Sequence, residues 1–132
     1  MARSRPFVLI CAGDESIGQS LRFVLTLEGI ESAVSTHPEA FLAAPGLAAA
    51  HCLVLEDNSC GQDGCALLMV ARRLGAQGAA ILLTGKLTPA LRKRAEEAGV
   101  WRVFEKPVLD NALVEAILSR MPGREQRLSI NT

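Results

Sequence analysis

The run at residues 52–58, CLVLEDN in one-letter code, places four apolar residues directly before three polar ones. A strand that is apolar on both faces belongs inside a parallel sheet with helices covering each side. Two further runs, Phe7–Cys11 and residues 80–83, are also apolar at every position. The run therefore predicts a central strand of a parallel sheet that ends at a polar edge.

Outward from this run, five strand candidates alternate with five helical patterns. The strand candidates are Phe7–Cys11, Glu31–Ser35 and residues 52–55, 79–83 and 102–104. Apolar residues at helical spacing, together with Gly and Pro breaks, predict helices over residues 17–28, 38–42, 64–74, 88–98 and 113–121. This alternation predicts a doubly wound, open parallel sheet with right-handed crossovers. In such sheets the functional site lies outside the carboxyl ends of the strands.

Length and composition exclude several classes of protein. The 132 residues suffice for one domain, expected over residues 1–121, with residues 122–132 as a flexible tail or linker. The formal net charge of +0 argues against direct nucleic-acid binding, and no apolar run approaches the roughly 20 residues that cross a bilayer. The first apolar run is also too short for a signal peptide, so we expect a cytoplasmic protein without a membrane partner. We expect all four cysteines to be reduced thiols.

Polar side chains follow four of the predicted strands. Asp14 and Glu15 come shortly after the first strand, and Glu56 comes directly after the third. Thr84 follows the fourth strand and Lys106 follows the fifth. Because the carboxyl ends of parallel strands share one edge, these residues are candidates for a common site.

This order of residues resembles the receiver domain of bacterial two-component response regulators, over about residues 7–121. The stretch FEKP at residues 104–107 is similar to FixJ-type receivers in particular. The resemblance implies an acidic pair that holds Mg²⁺, an aspartate that accepts a phosphoryl group, and a Thr/Ser and a Lys that bind its oxygens. With the alternating pattern, it predicts a five-stranded sheet in the flavodoxin-like order 2-1-3-4-5 with helices on both faces.

Three positions of the family pattern carry the wrong residue for phosphoryl chemistry. Matching the helix after the first strand puts Ala12 and Gly13 where the metal-binding acidic pair is expected. The glycine eight residues downstream of the acceptor is Gly64, which puts Glu56 at the acceptor position. Asn58 then stands where the family's backbone carbonyl meets the metal. The extra methylene of glutamate displaces the carboxylate by about 1 Å, which is costly where catalysis depends on positioning.

The remaining positions match the family more closely. The resemblance assigns Thr84, Lys106 and Pro107 to the phosphoryl-binding positions. Val103 is a departure, because the family has an aromatic switch residue at this position. We expect Glu56 and Lys106 to form a charge-assisted hydrogen bond, with Thr84 as a further donor.

These departures predict a degenerate receiver that is not an enzyme and that binds Mg²⁺ weakly or not at all. Its expected partners are proteins: a histidine kinase or another signalling protein, and an output domain. A homodimer through the last helices is a further expectation. Whether Glu56 mimics a phosphorylated aspartate or reflects drift after loss of the metal site stays open.

Two alternatives remain. One is a phosphorylation-competent receiver that uses Glu56 or Asp57 as acceptor, with Asp14 and Glu15 as a displaced metal site. The other is a small ligand-binding protein or enzyme. The sequence disfavours the second alternative, because it contains neither a Gly-rich phosphate loop nor an evident Ser-His-Asp set.

Overall fold

The computed structural model describes residues 5–57, 63–108 and 111–122. Its strands are β1 (Phe7–Cys11), β2 (Glu31–Ser35), β3 (Cys52–Glu56), β4 (Ala79–Thr84) and β5 (Arg102–Glu105). Its helices are α1 (Glu15–Leu27), α2 (Pro38–Leu42), α3 (Gly64–Arg73), α4 (Pro89–Ala98) and α5 (Ala112–Ser119). Each of the last three strands ends one residue later than predicted. The predicted tail lies outside the described residues except for Pro122, and so does Asn58.

The strands of the described ranges form one five-stranded sheet in the order β2-β1-β3-β4-β5, and every pairing is parallel. This confirms the predicted doubly wound, flavodoxin-like topology. At the carboxyl edge, Glu56 pairs in register with Leu83, and Thr84 pairs with Glu105. The register therefore brings the ends of β3, β4 and β5 to the same edge of the sheet.

Both faces of the sheet are buried, as the apolar runs predict. In β1, Leu9 and Cys11 belong to the core beneath α2, α3 and α4. Val8 and Ile10 belong to the opposite core, beneath α1 and α5. Burying a side chain of this size stabilises a fold by about 1.5–3 kcal/mol. The alternation thus fixes which face of each strand meets which helix layer.

Side-chain caps fix where three helices begin. The carboxylates of Asp14 and Asp63 and the hydroxyl of Thr88 accept backbone N–H groups at the starts of α1, α3 and α4. Asp63 also forms an ion pair with Arg94 of α4. A Cβ atom at Gly18 would lie 2.6 Å from Cγ1 of Val34, so glycine lets α1 pack closely on β2. The Asp14 cap thus fixes where α1 begins, and Gly18 lets this helix lie close to the sheet.

The cysteines of the described ranges are free thiols, which agrees with the sequence-based expectation. Cys11, Cys52 and Cys65 are all buried, whereas Cys60 lies outside the described residues. Burial raises the pKa of the Cys52 thiol to about 12 and also raises that of Cys65. Among the described helices, none is long and apolar enough to cross a membrane.

Candidate functional site

Glu56 ends β3 and reaches two other parts of the carboxyl edge. Its Oε2 accepts a hydrogen bond from Nζ of Lys106 at 2.6 Å, in an ion pair. Its Oε1 accepts a hydrogen bond from the backbone N–H of Asp14 at 3.2 Å. The Glu56 side chain is 1% exposed and that of Lys106 is 27% exposed. The carboxylate therefore links the β1–α1 connection, β3 and the residue after β5 from a buried position.

The burial of Glu56 sets the energetic cost of breaking the ion pair. Removing one partner of a buried ion pair costs about 3–5 kcal/mol, because the other charge is left uncompensated. Lys106 keeps partial access to water, which lowers that cost. We therefore place the loss on removing the Glu56 charge at about 2 kcal/mol.

The two residues at the metal-pair positions offer no carboxylate. Ala12 is 1% exposed and packs in the core beneath α1 and α5. Gly13 is a half-buried residue without a side chain. Because Ala12 already belongs to the apolar core, a carboxylate at this position would require a rearrangement.

Asp14, a candidate ligand of a displaced metal site, is committed to the start of α1. Its Oδ1 accepts hydrogen bonds from the Ser16 hydroxyl at 2.8 Å and from the Ser16 backbone N–H at 3.0 Å. These two bonds, the hydroxyl first, lower the pKa of the Asp14 carboxyl below its usual value. The next residue, Glu15, is exposed in the first turn of α1. Asp14 thus contributes its backbone N–H, rather than its carboxylate, to the contacts of Glu56.

Asp57, the other acceptor candidate, serves the start of α3. It is 6% exposed, and its Oδ1 accepts the backbone N–H of Gly64 at 2.7 Å. A Cβ atom at Gly64 would lie 2.5 Å from Cδ1 of Leu82 and 3.3 Å from Oδ1 of Asp57. Gly64, eight residues after Glu56, therefore allows α3 to begin in close contact with Leu82 of β4 and with Asp57.

Thr84 does not extend the Glu56–Lys106 pair in the way expected from the sequence. It is 2% exposed, and its Oγ1 donates to the carbonyl oxygen of Lys86 at 3.3 Å. The same oxygen accepts the backbone N–H of Lys86 at 3.4 Å. Within the described ranges, the Thr84 hydroxyl therefore bonds within its own turn, and the expectation that it donates to Glu56 was wrong.

Sequence reasoning missed the role of Glu105. Its Oε2 accepts the backbone N–H of Leu87 at 2.9 Å, and so ties the β4–α4 connection to the edge strand β5. The backbone N–H of Lys106 donates to the carbonyl oxygen of Thr84 at 2.7 Å in the same region. A carboxylate one residue before the lysine was the available signal, but sequence does not show which amide it faces.

The two remaining predicted positions lie on β5 and just beyond it. The Lys106–Pro107 peptide is cis. Val103 is half-buried and packs against the core beneath α3 and α4. The structure thus brings Glu56 and Lys106 into contact and leaves Thr84 and Val103 with other neighbours.

The chain is similar in sequence to two transcriptional regulatory proteins. No protein-family model matches the chain. The chain is 33% identical over 124 residues to DctR of Rhodobacter capsulatus, a C4-dicarboxylate transport transcriptional regulatory protein. It is 31% identical over 117 residues to the transcriptional regulatory protein FixJ of Azorhizobium caulinodans. These matches cover 92% and 89% of the chain, which spans 63% and 55% of the two regulators.

Solved structures show the same fold. A CheY-like receiver domain from Methanospirillum hungatei superposes with a TM-score of 0.80 at 23% identity, covering 94% of this chain and 99% of that one. The chemotaxis protein CheY4 of Vibrio cholerae gives a TM-score of 0.78 at 18% identity, covering 88% and 98%. The chain has the fold of a response-regulator receiver domain. This likeness points to a role in two-component signal transduction.

Response-regulator receiver domains are expected to bind Mg²⁺, but the residues at the corresponding positions of this chain do not suit that ion. Mg²⁺ requires near-octahedral oxygen ligands, commonly including one or two carboxylates. Ala12 and Gly13 supply none, the Asp14 carboxylate caps α1, and both oxygens of Glu56 are engaged. Within the described ranges, no group of three His, Cys, Asp or Glu residues is arranged to hold a metal ion.

Proposed function

We propose that this domain is an atypical receiver that signals through protein–protein contacts, with little or no conventional aspartyl phosphorylation. It is not an enzyme in this proposal, and it works in the cytoplasm. Its partners are a histidine kinase or another signalling protein, and an output domain. The observation that carries the proposal is the 2.6 Å contact between Nζ of Lys106 and Oε2 of the buried Glu56.

The contact supports the proposal through charge and access. A nucleophile must present a free oxygen to the incoming phosphorus, in line with the leaving group. One oxygen of Glu56 is paired with Lys106 and the other accepts from Asp14, and the side chain is 1% exposed. The positive charge of Lys106, at the family's phosphoryl-binding position, is thus already paired with the carboxylate of Glu56.

The metal side supports the same proposal. Phosphoryl transfer in this family relies on a divalent cation to neutralise charge on the transferring oxygens. Ala12 is buried in the apolar core, and the Asp14 carboxylate is occupied by Ser16. Because the described residues offer no fitting set of carboxylates, we expect the domain to lack the charge compensation that transfer requires.

The competent-receiver alternative depends on Asp57 or Glu56 as the acceptor. Asp57 is 6% exposed and its Oδ1 is held by the Gly64 N–H at 2.7 Å. This hydrogen bond directs Asp57 toward the start of α3, whereas Glu56 faces Lys106. These two contacts do not favour the alternative, which the following experiment tests directly.

The test is incubation with acetyl phosphate and Mg²⁺, followed by intact mass spectrometry. We expect no phosphorylated species from the unmodified domain. The triple variant Ala12→Asp, Gly13→Asp, Glu56→Asp should become labelled, because Lys106 is retained. The matched control keeps Glu56 and carries only Ala12→Asp and Gly13→Asp.

Two outcomes would contradict the proposal. Labelling of the unmodified domain at Glu56 or Asp57 would establish a competent receiver. A folded triple variant that stays unlabelled would show that these three positions are not what prevents the reaction. Circular dichroism of each variant identifies those that are folded, since Ala12 lies in the core.

A further inference from the structure

A groove of about 600 Å³ lies between α1 and α5 and shares Lys106 with the contacts of Glu56. Its walls are apolar, with Ile17, Leu21 and Val24 from α1 and Leu113 and Val114 from α5. Small-molecule sites in proteins commonly enclose about 300–1,000 Å³ and are lined mostly by apolar side chains. The groove has the size and the wall chemistry of such a site.

The polar groups of the groove gather at one end. Ser16 lies in the first turn of α1, Lys106 follows β5, and Asn111 precedes α5, so all three lie toward the carboxyl edge of the sheet. The side chain of Asn111 makes no capping hydrogen bond to α5. Among the described residues, Lys106 is the charged residue that lines the groove, and its side chain is 27% exposed. Its ammonium is paired with the buried Glu56, so the partly exposed cationic end of that ion pair lies at this end of the groove. Together with the Asn111 amide, it makes this end polar, while the rest of the groove is apolar.

This distribution favours a small molecule over a polypeptide. A bound peptide brings a backbone N–H and C=O at nearly every residue, and these groups need partners when they are buried. The walls are helices, whose own backbone groups are bonded internally along most of their length. Polar partners are concentrated at one end, which suits a ligand with one polar head and an apolar body.

We infer that the α1–α5 groove binds a small amphiphilic molecule, with its apolar body between the helices and an anionic or hydrogen-bonding head at Lys106. The inference rests on the groove and not on the phosphorylation state of the domain. Either proposal can therefore fail without the other.

The experiment uses 1-anilinonaphthalene-8-sulfonate, which has apolar rings and one sulfonate, as the probe. Its fluorescence is titrated with the folded domain, alongside N-phenyl-1-naphthylamine, which has the same rings without the charge. We expect saturable binding of one probe per domain, with the sulfonate binding at least about fivefold more tightly than the neutral compound. Lys106→Met should remove this difference between the two probes.

A substitution that fills part of the groove tests whether the probe binds there. Ser20 lines the groove and is exposed, so Ser20→Phe narrows the groove without altering the core. We expect Ser20→Phe to weaken binding of both probes by about tenfold, which corresponds to about 1.4 kcal/mol. The matched control is Phe23→Ala, on the same helix, at a residue that is 64% exposed and does not line the groove. It should leave the affinity unchanged.

Three outcomes would overturn the inference. The first is an affinity that Ser20→Phe does not change. The second is an equal loss in Phe23→Ala, which would show binding to exposed apolar surface in general. The third is a dimer in sedimentation equilibrium that Ser20→Phe dissociates, which would assign the groove to a second copy of the chain.

Discussion

Nζ of Lys106 lies 2.6 Å from Oε2 of Glu56, although the two residues are 50 positions apart in the chain. The lysine is partly open to water and the glutamate is buried, with side-chain exposures of 27% and 1%. The pair therefore combines a strong local interaction with a large cost if the glutamate loses its partner.

We expect Glu56→Gln to lower the free energy of unfolding by about 2 kcal/mol, because it leaves the Lys106 ammonium without its counter-charge. Adding Lys106→Met should recover part of that loss, so the double variant should cost less than the sum of the single changes. Urea unfolding of the unmodified domain, the two single variants and the double variant measures this coupling. Strict additivity would show that the two side chains do not interact in solution.

The chain offers a matched exposed pair as a control. Nη1 of Arg5 lies 3.7 Å from Oε2 of Glu31, and the two side chains are 74% and 61% exposed. Exposed pairs of this kind contribute about 0–1 kcal/mol. Glu31→Gln should therefore change stability much less than Glu56→Gln.

We expect isothermal calorimetry to detect no binding of Mg²⁺ at millimolar concentration at the strand ends. Ala12 and Gly13 supply no carboxylate, and the Asp14 carboxylate accepts from Ser16. The variant Ala12→Asp, Gly13→Asp, Glu56→Asp should bind Mg²⁺ measurably. A saturable heat from the unmodified domain that disappears in Glu56→Gln would refute this prediction.

Glu105→Ala should release the β4–α4 connection, because Oε2 of Glu105 accepts the Leu87 N–H. Loss of one such hydrogen bond, worth about 1 kcal/mol, should speed amide exchange at Leu87 about fivefold. NMR-detected hydrogen exchange measures the effect residue by residue. Glu97→Ala, at an exposed position on α4, is the control and should leave exchange at Leu87 unchanged.

Gly64→Ala should destabilise the domain by about 1–3 kcal/mol, through overpacking against the core. The added methyl would lie 2.5 Å from Cδ1 of Leu82 and 3.3 Å from Oδ1 of Asp57. Gly85→Ala is the control, because a Cβ atom there would meet nothing within 4 Å. Thermal unfolding compares the two variants, and equal melting temperatures would contradict the packing argument.

The contribution of Asp14 should depend on pH. Its folded pKa is lowered by the Ser16 hydroxyl and backbone N–H, so the stabilisation from its charge is present above the unfolded pKa and is lost as pH falls through the folded value. Asp14→Asn should therefore destabilise the domain near neutral pH, and the difference should disappear at an acid pH below the folded pKa of Asp14. Urea unfolding at both pH values measures it, and a constant difference would contradict the prediction.

The sheet was predictable because burial on two faces leaves a strong mark in sequence. Runs such as Phe7–Cys11 and residues 52–55 are apolar throughout, and a parallel sheet is the structure that buries both faces of such strands. The strand ends followed from the same runs to within one residue. The contact of Glu56 with Lys106 was predictable from the resemblance to receiver domains, which places both side chains at the shared edge, and from their opposite charges.

The choice of hydrogen-bond partners was not predictable. Thr84 bonds to Lys86 in its own turn, and Glu105 reaches the Leu87 amide. These choices depend on side-chain rotamers and on where a loop points its N–H groups, and neither leaves a periodic signal. Asp14 is the exception, since Asp-Glu-Ser before an apolar helical pattern is typical of a helix start.

The contacts of Glu56 also bear on the order of events in folding. Its two hydrogen bonds join residues separated by 42 and 50 positions, and they need the ends of β1, β3 and β5 to be in place. Closing such long segments has an entropic cost that the contacts offset only once the intervening elements have assembled. We therefore expect the carboxylate to be a late contact, so that Glu56→Gln speeds unfolding and leaves the rate of refolding nearly unchanged.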